Sequence, residues 1–69
     1  MNEYQVHQLG RAPQTVYISD SNPTIETILR EAGVNASGHT LNVNGSTVQT
    51  SDRVTPGAMI MLSRKVQGG

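Results

Sequence analysis

Tyr4-Gln5-Val6-His7-Gln8 alternates apolar and polar positions, the two-residue period of a half-buried strand. Gly10-Arg11-Ala12-Pro13 interrupts it with turn chemistry, and Gln14-Thr15-Val16-Tyr17-Ile18 returns as a β-branched and aromatic segment. The two runs predict a hairpin with Val6, Val16 and Ile18 inward and Thr15 and Tyr17 on the opposite face. After the polar loop Ser19 to Pro23 the period changes: Ile25, Ile28, Leu29 and Ala32 recur at three- and four-residue spacing, one apolar stripe of a helix. Its start is capped either by Thr24 or by Asn22 with Pro23 at the first helical position, and Gly33 closes it, giving a helix over about Thr24 to Ala32. Glu26 falls in the first turn, where the helix dipole favours negative charge. Leu41-Asn42-Val43 and Thr47-Val48-Gln49 flank Asn44-Gly45, a dipeptide suited to the two positive-φ positions of a tight hairpin turn. Beyond the turn Thr55-Pro56-Gly57, Met59-Ile60-Met61-Leu62 alternates into a last strand.

The element order is strand, strand, helix, strand, short strand, strand. It predicts an α+β domain, a mixed sheet of four or five strands covered on one face by the helix and wet on the other. The expected core is Val6, Val16, Ile18, Ile25, Ile28, Leu29, Leu41, Val43, Val48, Val54, Ile60 and Leu62. A chain of 69 residues allows one such domain and leaves stability to apolar burial alone, since it has no cysteine for a disulfide or a thiolate metal site. Its longest apolar run, Ala58 to Leu62, is far short of the roughly 20 residues of a membrane span, and Met1-Asn2-Glu3-Tyr4 has no signal pattern. The expectation is a cytoplasmic protein, monomeric when free, with no membrane attachment.

Charge excludes another class. Five Lys and Arg balance five Asp and Glu, without the basic excess that nucleic-acid binding leaves in a sequence, and two tyrosines are the only aromatic residues available to stack on bases. His7 and His39 lack metal-ligand spacing with carboxylates or with each other, and no triad, phosphate loop or paired-carboxylate pattern is present. The sequence therefore predicts no enzyme, no bound cofactor and no metal.

Thr24-Ile25-Glu26, opening a helix after an extended hairpin, resembles the pattern of ubiquitin. The stretch Ile28-Leu29-Arg30-Glu31-Ala32-Gly33-Val34-Asn35 resembles the helix exit of the small sulfur-carrier proteins of thiamine and molybdopterin biosynthesis. Val43-Asn44-Gly45, Val48, Val54, Gly57, Ile60, Leu62, Val66 and Gly68-Gly69 are similar to the carriers' second half, with Ala58 where the carriers usually place an acidic residue. Almost the whole chain takes part in this resemblance to the β-grasp, ubiquitin-like family, which also includes prokaryotic ubiquitin-like modifiers. Two glycines in the last two places would arise by chance about 0.5% of the time at a glycine usage of about 7%, so this ending adds weight to the resemblance.

The resemblance implies a β-grasp domain over 1–65 and a flexible tail over 66–69 whose Gly69 carboxylate, next to Gly68, is activated or conjugated. An E1-like adenylating enzyme would supply the ATP, and the activated carboxylate would pass to sulfur, making a thiocarboxylate carrier, or to a lysine of a target protein, making a modifier. A sulfur-acceptor enzyme or target lysines would be the second partner. Glycine suits a threaded tail because, lacking Cβ, it fits a narrow channel. From Arg64 to Gly69 an extended chain spans roughly 17 Å at about 3.4 Å per residue. Lys65 is the only lysine, which disfavours chains built through varied lysines. Met59 and Met61, opposite in phase to Ile60 and Leu62, are candidate contact residues on the wet face. Arg64, Lys65 and Val66 are candidates beside the partner's channel. The alternative is a non-covalent β-grasp interaction module working through Met59, Met61 and Tyr17.

Overall fold

In the first hairpin β1 (Asn2–Gln8) and β2 (Gln14–Ile18) run antiparallel with Tyr4 opposite Val16 and Val6 opposite Gln14. This computed structural model describes residues 1–65 of the chain. Gly10 turns the hairpin with a φ of 89°, and the Arg11 N–H donates to the Gln8 carbonyl at 3.0 Å.

Helix α1 (Ile25–Ala32) begins at Thr24, the first of the two expected caps. The Thr24 hydroxyl accepts from the Thr27 N–H at 3.3 Å. The N–H groups of Ile25 and Glu26 donate to the carbonyls of Asp52 and Thr50, at 2.9 and 3.0 Å, so the first-turn donors that a helix leaves orphaned are taken up by a distant loop. Asn22 does not cap; its side-chain amide donates to the Val54 carbonyl at 3.1 Å. At the other end Gly33 has a φ of 71° and donates to the Arg30 carbonyl, while Val34 donates to Leu29, the paired closure of a Schellman motif.

The second half adds β3 (His39–Val43), β4 (Ser46–Val48) and β5 (Met59–Arg64). Asn44 and Gly45 have φ of 54° and 82°, and Val43 pairs with Ser46 across them, the tight turn the dipeptide predicts. All five strands form one sheet in the order β2-β1-β5-β3-β4. β5 is central, parallel to β1 on one side and antiparallel to β3 on the other, so the sheet is mixed as expected.

The core is Tyr4, Val6, Val16, Ile25, Ile28, Leu29, Leu41, Val54, Ile60 and Leu62. Tyr4 is the addition: it is fully buried, and its hydroxyl donates to the Asp20 carbonyl at 2.8 Å, which supplies the partner a buried phenol needs. Burial pushes the Tyr4 phenol above its ordinary pKa, and the Asp20 carboxylate adds to the shift. Ile18, Val43 and Val48 reach only the margin, half-buried against the core. Ile18 is the last residue of β2, opposite Asn2 at the end of the hairpin; for Val43 and Val48, on β3 and β4, the reason is dimensional. Eight helical residues extend about 12 Å, whereas five strands spread about 19 Å, and the helix rests on β1 and β2.

Candidate functional site

Strand β5 carries Met59, Met61 and Arg64 and leads into Lys65, four of the sequence-predicted site residues. Its alternation sends Ile60 and Leu62 into the core with no exposure and leaves Met59 and Met61 outward, 38% and 37% exposed. Through the strand register Met59 neighbours Gln5, while Met61 lies between His7 on β1 and Asn42 on β3. Tyr17, 57% exposed, lies opposite Glu3 on the same wet face, one strand beyond β1. The two methionines and the tyrosine therefore share a face without forming a continuous apolar patch, because Glu3 and Gln5 run between them.

Arg64 ends β5, exposed and paired in register with His39 of β3. The Lys65 N–H donates to the Gly38 carbonyl at 3.0 Å, the last backbone bond of the described chain. Val66, Gly68 and Gly69 lie outside the described residues.

Tertiary structure brings three residues to Arg64 that periodicity did not mark. Leu9 and Arg11 of the β1–β2 loop and His39 at the start of β3 line a groove of about 430 Å³ together with Gln8, Gly10, Leu62 and Arg64. The Leu9 N–H donates to the Leu62 carbonyl at 3.1 Å and fastens the loop across the end of β5. His39 is braced on both ring nitrogens, Nδ1 at 2.9 Å from the Ser37 carbonyl and Nε2 at 3.3 Å from Gln8 Nε2. A carbonyl only accepts, so Nδ1 carries the proton and Nε2 accepts from the Gln8 amide. No local signal marks the groove, since its walls come from loop and strand segments joined by long-range pairing.

A larger depression of about 550 Å³ lies at the helix exit, floored by Leu29, Val34 and Ala36 and rimmed by the exposed Arg30–Glu26 pair at 3.4 Å. Among the described residues no three His, Asp or Glu side chains gather as metal ligands, and no helix is long and apolar enough to cross a membrane.

A computationally designed protein based on the template of human erythrocytic ubiquitin, solved by NMR in solution, is similar to this chain with a TM-score of 0.62 and 26% sequence identity. That match covers 100% of this chain and 98% of the other. The fold is the ubiquitin-like β-grasp. No protein-family model matches the chain, and no curated protein does. Within this β-grasp the candidate surfaces are two: the wet sheet face carrying Met59 and Met61, and the basic groove where β5 ends.

Proposed function

We propose that this chain is a ubiquitin-like carrier whose Gly69 carboxylate is activated by adenylation on an ATP-binding partner and then passed to a sulfur or nitrogen acceptor. The observation that supports this reading is the position of β5. The central strand, bonded on both sides, ends at Arg64, and Lys65, which makes the last described backbone bond, precedes Gly69 by four positions in the sequence. A carboxylate is a poor electrophile. Its attack on the α-phosphorus of ATP releases pyrophosphate and forms a mixed anhydride, from which a sulfur nucleophile or a lysine amine then displaces AMP. The chain supplies the carboxylate and a rigid body to hold it. The energy and the catalytic groups belong to the partner, so this protein acts in the cytoplasm as a substrate of other enzymes, without enzyme activity or a cofactor of its own. Sulfur transfer stands slightly ahead of protein modification, because Lys65 is the only lysine through which copies of this chain could be linked to one another.

Intact mass of the protein from its own cells, with a search for Gly-Gly remnants on lysines of other proteins, tests the reading. A terminal oxygen replaced by sulfur establishes the thiocarboxylate carrier, and remnants traceable to this tail establish the modifier. A mature form without a carboxylate at Gly69, or neither product under several growth conditions, sinks the proposal. Full function after loss of Gly68-Gly69 would replace it with a non-covalent interaction module.

A further inference from the structure

We propose that the groove at the end of β5 is a docking site for an acidic peptide segment of the activating partner, clasped by Arg11 and Arg64 beside the apolar Leu9. The identity of the partner rests on the carrier reading above; the chemistry of the groove does not. Five basic and five acidic side chains cancel over the whole molecule, but not locally. None of the residues lining this groove bears a carboxylate. Among the described residues the one salt bridge is Arg30–Glu26, and Arg53 donates to the Asn22 carbonyl at 2.8 Å, so neither involves Arg11 or Arg64. His39 is occupied by Ser37 and Gln8, which leaves the two guanidiniums as the groups available to a ligand.

A guanidinium presents a planar fork that matches a carboxylate in two parallel hydrogen bonds. Leu9, 58% exposed, stands at the rim of the same groove and offers an apolar contact to the residue beside that carboxylate. This combination fits a peptide that alternates acidic and apolar side chains. It does not fit a nucleic acid: two guanidiniums in one groove make no track along a phosphate backbone, and no aromatic residue lines the groove to stack on a base. A segment held here would lie beside Arg64, the last residue of β5, and would set the body of the domain against the mouth of the partner's site.

The test is an NMR titration of the ¹⁵N-labelled full chain with an acetylated, amidated hexapeptide alternating glutamate and leucine. A peptide with lysine in place of glutamate serves as control. Amide shifts should concentrate at Leu9, Gly10, Arg11, His39 and Arg64, and weaken with added salt. Arg11→Glu and Arg64→Glu should each weaken binding about fivefold or more, while Arg11→Lys, which keeps the charge and loses the fork, should weaken it measurably but less than Arg11→Glu does. Unperturbed spectra away from the substitution show that each variant is folded. Shifts centred on Met59 and Met61, wild-type affinity in either charge reversal, or no binding up to about 1 mM peptide would overturn the proposal. So would loss of binding on deletion of residues 66–69, or tighter binding of a DNA oligonucleotide with the same response to both variants. The titration requires neither ATP nor Gly69 chemistry. An unmodified Gly69 in cells would therefore defeat the carrier reading and leave this result standing, and a failed titration would leave the carrier reading untouched.

Discussion

Tyr4 shows how one side chain carries two terms of opposite sign. Its ring fills the centre of the core, yet its hydroxyl is tolerated there only because the Asp20 carbonyl accepts from it at 2.8 Å. Tyr4→Phe keeps the ring and removes the bond, and should lower stability at neutral pH by about 1 kcal/mol in urea denaturation. The same residue sets an alkaline limit. A phenol raised above its ordinary value of 10.0 in the folded state gives up its proton more readily when unfolded. Its contribution is complete below the unfolded value and is lost as the pH rises toward the folded one. Wild type should therefore lose stability above pH 10.0, and Tyr4→Phe should show a shallower fall over that range. Parallel curves for the two proteins would assign the alkaline loss to other groups. Periodicity puts Tyr4 in phase with Val6, yet the expected core omits it, because the partner that lets its hydroxyl be buried is an oxygen sixteen positions away.

At the scale of elements, helix α1 is stabilised at both ends by different means. Its N-terminal donors reach the Thr24 side chain and the Thr50 and Asp52 carbonyls, and its C-terminal carbonyls are closed by Gly33 and Val34. Thr24→Ala removes the one side-chain acceptor and should cost about 1 kcal/mol by thermal or chemical denaturation, whereas Thr24→Ser should be nearly neutral. Loss of equal size in both would show that the Thr24 γ-methyl, which both substitutions remove, and not the hydroxyl, matters at this position. Strand β5 separates stability from surface by alternation. Ile60→Ala should cost about 2–5 kcal/mol through the cavity it leaves. The exposed Met61→Thr should stay within about 0.5 kcal/mol, and urea midpoints of the two variants would compare them directly. The helix, the Asn44-Gly45 hairpin and the β5 alternation were all legible in the sequence, because each depends on residues within a few positions of one another.

For the whole molecule, the function proposed above divides labour between the β-grasp body and the C-terminal glycines. Deletion of Gly68-Gly69 removes none of the core residues and no strand pair of the described sheet. The truncated protein should therefore melt at the same temperature as the full chain, while giving neither thiocarboxylate nor lysine conjugate in cells. A lowered melting temperature would mean that these glycines also contribute to the fold. The two candidate surfaces are separable in the same way. Substitutions at Met59 and Met61 act on the wet face of the sheet, and those at Arg11 and Arg64 act on the groove where β5 ends.

By itself the sequence determined the order of elements, the helix limits to within a residue, the tight turn at Asn44-Gly45, and which residues of β5 face inward. Steric and hydrogen-bonding preferences acting over three or four neighbours are enough for each of these. Only the tertiary structure decided the placement of β5 between β1 and β3, the burial of Tyr4, the marginal positions of Ile18, Val43 and Val48, and the meeting of Arg11, His39 and Arg64 in one groove. Those outcomes follow from strand pairings between distant segments and from the width of the sheet against the length of the helix. No local period encodes such quantities.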